Sequence, residues 1–287
     1  MLNHRKNVVE ILRFWRNRYM KSLQGVNVYI TGGSSGIGLA FAKLAAQNGA
    51  NVAIIARDIK KLEQAKKEIT SLCINSSQKV EAYSIDVCNP KKLYKAVPSM
   101  IQKFGNPDVL VCAAGVGLSN YFENIRDEDF KQLMDINVFG IWYTLKAFYP
   151  YLKNKNTHCV LLSSLAGLIG VYSYSAYGTS KFAVFGLADC LRSEFKEHGI
   201  TLSVICPPEV DTPFLQEELK TIPKKAKRIK RITGVLSAEK VAQSIMKAIL
   251  KNKFMVVPGF MSKTTWLLHR LLNGYGTRVL TDILIKL

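Results

Sequence analysis

A tyrosine and a lysine with the spacing of a proton-transfer pair lie in the run Y-G-T-S-K, at Tyr177 and Lys181. Residues four apart share one face of an α-helix, so these two side chains should be neighbours. A phenol with a pKa of about 10 transfers protons poorly at neutral pH unless a nearby cation lowers that pKa. Lys181 can supply the positive charge, and Ser164, 13 residues before Tyr177, can present a hydroxyl to a substrate carbonyl.

A glycine-rich turn between a strand-like run and a helical run predicts a dinucleotide site. It reads T-G-G-S-S-G-I-G over residues 31–38. Gly32 permits a tight turn, while Gly36 and Gly38 let backbone amides and the helix N-terminus approach a pyrophosphate. The spacing differs from the commoner G-x-G-x-x-G, but the strand–turn–helix context is the same. A tight turn that binds nothing is the alternative.

The end of the second predicted strand bears on the choice between NAD and NADP. It carries Arg57, without the acid that typically binds the ribose hydroxyls of NAD. Asp58, which follows, fits a helix cap. We therefore expect Arg57, assisted by Ser34 or Ser35, to bind the 2′-phosphate of NADP. The alternative is that Arg57 is a solvated surface charge.

These residues need a fold that brings the ends of distant segments together. From about residue 26, apolar runs rich in Val and Ile alternate with amphipathic stretches, as in strands covered on both faces by helices. Strands are predicted at Val26–Ile30, Val52–Ala56, Val80–Ser84, Val109–Cys112, Cys159–Ser163, Thr201–Cys206 and Phe254–Val257. Helices are predicted at 36–47, 59–72, 90–104, 127–153, 175–198 and 237–251. The pattern indicates an α/β, Rossmann-type doubly wound parallel sheet of about seven strands in one domain.

Over residues 25–260, the order and spacing of these motifs resemble the short-chain dehydrogenase/reductase family. Further markers are Asp86-Val87, A-A-G at 113–115 and Asn137. The resemblance implies that Tyr177 protonates a carbonyl oxygen that Ser164 holds, with Asn137 and Lys181 holding a relay water. The residues that it implies in cofactor binding are Gly32, Ser34, Ser35, Gly36, Ile37, Gly38, Arg57, Asp86, Val87, Ala114, Gly115, Tyr177, Lys181, Pro207, Val210 and Thr212.

Two positions depart from the family's usual pattern, and one of them narrows the resemblance. Cys112 stands where N-N-A-G has its first Asn, and Pro208 stands where a Gly is usual. The run P-P-E-V-D-T-P at 207–213 resembles the P-P-D-T-D-T-P of 3-ketodihydrosphingosine reductases. That likeness implies NADPH-dependent reduction of a long-chain lipid ketone, 3-ketodihydrosphingosine, in sphingolipid synthesis. A steroid or retinol dehydrogenase and a 3-oxoacyl-carrier-protein reductase remain alternatives.

The charge is concentrated in two segments. The 287 residues have a formal net charge of +19, yet 48% are hydrophobic, which excludes a disordered or collagen-like chain. Residues 1–23 and 220–231 supply 12 of these 19 charges. We expect a basic amphipathic helix at 1–24, a basic lid at about 209–236 and an amphipathic tail at 261–287. For the helix at 1–24 and for the tail, the alternative is packing on the core or on a second subunit. For the basic run at 220–231, the alternative is a solvated loop.

The segments with this excess charge favour an anionic membrane as the partner. We expect peripheral binding at the cytoplasmic side of a membrane, the endoplasmic reticulum in a eukaryote or the inner membrane in a bacterium. A basic nucleic-acid-binding protein on a reused fold is the alternative of another class. Such a protein would not need the set Ser164, Tyr177 and Lys181, so no nucleic-acid partner is expected.

Two further expectations concern assembly and cysteine chemistry. The family resemblance implies a homo-oligomer, a dimer or tetramer, formed through the helix that carries Tyr177 and its neighbour. The six cysteines are scattered singly without a metal-ligand spacing, so buried free thiols and no metal site are expected. No apolar run reaches 18 residues, so no transmembrane helix is expected.

Overall fold

Seven parallel strands form one sheet at the centre of the molecule. The computed structural model describes residues 20–223, 225–227 and 234–286. The strand order is β3-β2-β1-β4-β5-β6-β9. These strands are β1 Asn27–Thr31, β2 Asn51–Ala56, β3 Val80–Ser84, β4 Val109–Cys112, β5 His158–Leu162, β6 Thr201–Ile205 and β9 Met255–Val256. The predicted Rossmann-type sheet is confirmed. Most of the predicted helix at 1–24 and five of the twelve residues of the basic run at 220–231 lie outside the described residues.

Helices cover both faces of the sheet. They are α1 Gly36–Gln47, α2 Ile59–Thr70, α3 Pro90–Phe104, α4 Asp127–Met134, α5 Gly140–Leu152, α6 Ser175–Glu197, α7 Pro213–Thr221, α8 Ala238–Leu250, α9 Phe260–Leu271 and α10 Tyr275–Lys286. One apolar core packs α1, α2 and α8 on the sheet, and the other packs α3, α5 and α6. Neighbouring residues of β1 pack into different cores: Val28 and Ile30 belong to the first, and Tyr29 belongs to the second. Continuous apolar strands therefore stabilise both layers.

The strand order reverses at β1, and this reversal positions the site. The chain runs outward from β1 to β2 and β3, then returns to place β4 on the other side of β1. In such sheets, ligands bind in the crevice outside the carboxyl ends of the strands at the switch point. The glycine turn follows β1, the A-A-G run follows β4, and Ser164 follows β5, so all three lie at this edge.

Two segments differ from the sequence prediction. The predicted helical region at 127–153 contains a π-helical turn at Asp135–Phe139 between α4 and α5. The predicted lid includes a short parallel pair, β7 Glu209–Asp211 and β8 Val235–Ser237. A π turn has no distinct hydrophobic period, and three-residue strands are too short to show one.

The C-terminal tail forms a helical hairpin of α9 and α10. Its turn places Asn273 and Gly274 in the left-handed backbone region that Asn and Gly tolerate. Among the described residues, no helix has the length and apolarity needed to cross a bilayer. The prediction of buried free cysteines is confirmed for Cys112, Cys159 and Cys206.

Candidate active site

Ser164, Tyr177 and Lys181 meet at the carboxyl end of β5. Tyr177 and Lys181 lie one turn apart near the start of α6, with the Lys181 Nζ 5.6 Å from the centroid of the Tyr177 ring. Ser164 follows β5 and is near enough to Tyr177 to lower its pKa, while its Oγ accepts a hydrogen bond from the Ala166 N–H at 3.1 Å. The Lys181 Nζ donates to the Leu162 carbonyl oxygen at 3.1 Å, which fixes the amine beside the phenol. The geometry suits a proton donor with a hydroxyl beside it.

Asn137 joins this site to the end of β4. Its Nδ2 donates to the Val116 carbonyl oxygen and to the Ser180 Oγ, each at 2.9 Å, and its Oδ1 accepts from the Val116 N–H at 2.8 Å. Asn137 lies in the π turn, a form of helix that occurs frequently at functional sites. A methyl group added at Gly115 would lie 3.2 Å from the Asn137 Oδ1 and 3.5 Å from the Lys181 Nζ. Asn137 and Lys181 therefore flank the same backbone position, while the relay water stays a prediction.

Burial dominates the electrostatics of the pair. Burial raises the pKa of Tyr177, the neighbouring Ser164 hydroxyl lowers it, and the charge of Glu218 raises it further. The sequence predicts a lowered pKa for Tyr177, but desolvation prevails in the structure and the pKa is raised. The phenol therefore holds its proton at neutral pH but is a weaker acid than a solvated tyrosine, so donation to a substrate needs a group that offsets the burial. Burial likewise lowers the pKa of Lys181 to about 8.

Lys181 should therefore set the alkaline limit of activity. Its ammonium is present below pH 8 and is lost as the pH rises through about 8. We expect kcat/KM for the reduced dinucleotide to fall about tenfold per pH unit above that value, because kcat/KM reports groups of the free enzyme. A profile of kcat/KM from pH 6 to pH 10 checks this. In the Lys181→Arg protein, whose guanidinium stays charged, kcat/KM should not fall above pH 8. A decline that is equally steep in the Arg variant would contradict the assignment.

The glycine turn is built as a cradle. Gly32 has a φ of +70°, and a Cβ there would lie 2.7 Å from the Ala114 backbone nitrogen. Gly36 has a φ of +53°, and a Cβ there would lie 3.3 Å from the Thr212 Cγ2. The Ser35 side chain does not cap α1, and the first turn of α1 has no acidic residue. An uncapped helix N-terminus behind a glycine turn fits the pyrophosphate of a dinucleotide.

A cavity of about 300 Å³ contains most of the predicted cofactor residues. The wall includes Gly32, Ser35, Gly36, Ile37, Gly38, Ala114, Gly115, Pro207, Val210 and Thr212, together with Ser164, Tyr177 and Lys181. The Pro207 carbonyl oxygen accepts a hydrogen bond from the Leu165 N–H at 2.8 Å, which holds the β6 end against the Ser164 loop. The glycine turn and the predicted catalytic side chains thus share one cavity, as hydride transfer from a bound dinucleotide would require.

The remaining predicted cofactor residues lie at the ends of β1, β2 and β3, and the cavity wall does not include them. Ser34 is half-buried in the glycine turn, and Arg57 is exposed after β2. Asp58 caps α2 through the Lys61 N–H at 3.1 Å, as its alternative reading predicted. The Asp86 Oδ1 accepts from the Cys88 N–H at 2.9 Å, and Val87 is buried. Their contacts with adenosine stay predictions.

The sequence did not single out several residues that line the substrate side of the cavity. Tyr174 lies with its ring centroid 5.4 Å from that of Tyr177, and Phe214 lies at 6.0 Å on the other side. Two carboxylates, Glu209 and Glu218, also line the wall. Glu209 lies within the P-P-E-V-D-T-P run that narrowed the resemblance, but the sequence predicts no role for Glu209 itself. The C-terminal hairpin contributes Thr265, Thr277 and Thr281.

Known proteins are similar to this chain in sequence and in fold. Residues 26–223 match the short chain dehydrogenase family. The 3-dehydrosphinganine reductase of Danio rerio is 40% identical over 81% of this chain and 70% of its own length. The 3-ketodihydrosphingosine reductase of Mus musculus is 38% identical over 81% and 71%. A short chain dehydrogenase from Mycobacterium paratuberculosis, solved bound to NAD, is 23% identical, with a TM-score of 0.74 over 85% of this chain and 99% of its own.

Proposed function

Because the chain belongs to the short-chain dehydrogenase family, we propose that it is an NADPH-dependent reductase of 3-ketodihydrosphingosine, a long-chain 2-amino-1-hydroxy-3-ketone. The observation that carries the proposal is the set Ser164, Tyr177 and Lys181, assembled in one cavity with a dinucleotide cradle. The relatives named as reductases of this ketone align over most of the chain.

Each residue of the set has a different role in carbonyl reduction. When bound, a reduced nicotinamide supplies a hydride to the carbonyl carbon. The Ser164 hydroxyl holds the carbonyl oxygen, and Tyr177 transfers its phenolic proton to that oxygen as negative charge develops there. The products are a secondary alcohol, the oxidised dinucleotide and a tyrosinate, which regains its proton from solvent. Lys181 binds the nicotinamide ribose and stabilises the tyrosinate.

The cavity wall supports a substrate with an alkyl chain. Leu165 and Ile169 follow β5, Val171 precedes α6, and Phe214 and Leu215 open α7; all five line the cavity. Such a wall would exclude water from the reacting carbonyl and bury methylene groups, each of which contributes about 0.8 kcal/mol. A long-chain ketone gains more from this wall than a small polar ketone does.

A substrate panel tests the proposal. NADPH oxidation would be measured with 3-ketodihydrosphingosine, a 3-oxoacyl thioester and a ketosteroid at equal micellar concentration. We expect the highest kcat/KM with 3-ketodihydrosphingosine. Preference for the thioester or the steroid would refute the substrate assignment, while the assignment of a reductase activity would stand. Absence of turnover with every ketone, together with salt-sensitive DNA binding, would favour a binding protein instead.

Arg57 should determine the preference for NADP. Its exposed side chain follows β2, where the 2′-phosphate of NADP is bound in this type of fold. Arg57→Ala should weaken the binding of NADPH by about tenfold or more, because one charge-assisted contact with phosphate is lost. The affinity for NADH should stay within about twofold of the parent value. Titrations of both dinucleotides measure this, with exposed Lys60→Ala as the matched control. Equal weakening of NADPH and NADH would contradict the contact.

The α9–α10 hairpin supports docking on an anionic membrane. The hairpin exposes nine large apolar residues: Phe260, Met261, Leu267, Leu268, Leu271, Leu272, Tyr275, Val279 and Ile283. Basic Lys263, Arg270, Arg278 and Lys286 accompany a single acid, Asp282. A basic amphipathic surface of this kind binds anionic bilayers through both buried apolar area and charge. Since threonines of the same hairpin line the cavity, docking would place the cavity near lipid, at the cytoplasmic face of the endoplasmic reticulum in a eukaryote.

Leu271→Asp should detach the protein from vesicles. Leu271 is 70% exposed, so the change costs the fold little but puts a charge into the proposed contact. We expect the partition coefficient on anionic vesicles to fall about tenfold or more. Flotation measures it, and Ile74→Asp, an equal change at a 61% exposed residue far along the chain, is the control. Equal detachment by both changes, or binding indifferent to anionic lipid, would refute the surface.

The faces of α4, α5 and α6 support a homo-oligomer. They expose Phe130, Trp142 and Phe182, with Phe139 in the π turn between α4 and α5. Exposed aromatic residues concentrated on adjoining helices are typical of protein–protein interfaces. We propose a dimer or tetramer through these helices, which sedimentation would measure.

A further inference from the structure

The wall of the catalytic cavity opposite α1 contains a buried carboxylate that carbonyl reduction does not need. Glu218 lies on α7, is only 5% exposed and lines the cavity with Tyr177. Glu209 of β7 lines the same cavity. Proton donation and oxygen binding in the reduction already fall to Tyr177 and Ser164. A carboxylate retained inside an apolar substrate cavity is costly, because burial disfavours its charge.

The neighbours of Glu218 place it near the reacting centre. Glu218 interacts with Tyr174, and the Tyr174 and Tyr177 ring centroids are 5.4 Å apart. Phe214, one turn earlier on α7, has its ring centroid 6.0 Å from that of Tyr177. Both Glu218 and Glu209 act electrostatically on Tyr174, so the two carboxylates approach the same side of the cavity.

A negative charge at this place disfavours the negative charge that develops during the reduction, and a positive charge on the substrate would offset it. Negative charge develops on the carbonyl oxygen and then on Tyr177 as the proton moves, and Glu218 repels both. After burial, the charge of Glu218 also raises the pKa of Tyr177, which makes it a weaker proton donor. A cation bound between the carboxylate and the carbonyl would reverse both effects.

We infer that Glu218, supported by Glu209 and oriented by Tyr174, binds the ammonium group of an α-amino ketone substrate and so selects this class over ketones without an amine. The inference rests on the proposed function, because 3-ketodihydrosphingosine carries its amino group on the carbon next to the ketone. An ammonium there can reach a carboxylate beside Tyr177 while the carbonyl oxygen contacts Tyr177 and Ser164. Steroids, retinoids and 3-oxoacyl thioesters have no cation at this position.

The test compares three ketones of equal chain length with NADPH: 3-ketodihydrosphingosine, its N-acetyl derivative, and the 1-hydroxy-3-ketone that lacks the amine. The parent enzyme should prefer the free amine in kcat/KM by about 10- to 100-fold, the range for a charged hydrogen bond. Glu218→Gln keeps the shape of the side chain and should abolish most of this preference by lowering kcat/KM for the amine alone. Glu217→Gln, an equal change on the exposed side of α7, should keep the preference.

The outcomes separate the inference from the proposed function. If the parent enzyme reduces the free amine and the N-acetyl ketone equally well, ammonium recognition is wrong while the lipid reductase stands. If it reduces neither but turns over other ketones, the proposed function fails and the inference fails with it. Loss of activity on all three ketones alike in a folded Glu218→Gln protein overturns the specificity role. If that variant does not fold, the three-ketone comparison in the parent enzyme decides alone.

Discussion

The Tyr177→Phe protein should reduce ketones about a thousandfold more slowly than the parent while binding the dinucleotide with unchanged affinity. A general acid contributes about 10²- to 10⁴-fold to a rate, and phenylalanine keeps the ring but has no proton to give. Ser164 remains in place, because its Oγ also accepts from the Ala166 N–H at 3.1 Å. Turnover would be followed by NADPH oxidation, and affinity by titration of the dinucleotide.

Tyr94→Phe is the matched control for this loss. Tyr94 is an exposed tyrosine on α3, and the same hydroxyl is removed there without touching the cavity. Its activity should stay within about twofold of the parent value, as expected for a surface change. If Tyr177→Phe keeps a tenth or more of the activity, another group donates the proton and the role assigned to Tyr177 is wrong.

The sheet could be predicted from sequence because its strands carry their own signal. Most of the strands are apolar along most of their length, since residues such as Val28 and Tyr29 pack into cores on opposite faces, while the edge strand β3 also carries Glu81 and Ser84. The π turn around Asn137 and the β7–β8 pair could not be predicted. The former has the composition of ordinary helix, and the latter depends on two segments that meet across the basic run at 220–231.

The cofactor side of the site was predictable, and the substrate side was not. Gly38 is required by its contact with the Gly32 carbonyl group six residues earlier, which the local motif contains, whereas Gly32 packs against the backbone of Ala113 and Ala114 after β4. Glu218 and Thr265 reach the cavity only because α7 and α9 fold back over the strand ends. Such residues have no fixed distance in sequence from Tyr177. The sequence also could not show that burial is the largest influence on the pKa of Tyr177.

Gly38→Ala should weaken the binding of the dinucleotide by about a hundredfold or more. A Cβ at Gly38 would overlap the carbonyl oxygen of Gly32 and lie 2.8 Å from its carbonyl carbon, closer than real contacts allow. The first turn of α1 must then move away from the glycine turn, and the amides that would bind the pyrophosphate separate. Ligand titration gives the dissociation constant, and circular dichroism shows whether the variant is folded at the temperature used.

Gly186→Ala separates this steric effect from the general effect of removing a glycine from a helix. Gly186 is exposed on α6, and an added Cβ there would meet nothing within 4 Å. Alanine favours helix over glycine by about 1 kcal/mol, so this variant should melt at the parent temperature or higher and bind the dinucleotide normally. A folded Gly38→Ala protein with an affinity within about threefold of the control would show that the turn tolerates a wider opening. The pyrophosphate would then have to be bound by groups other than the first turn of α1.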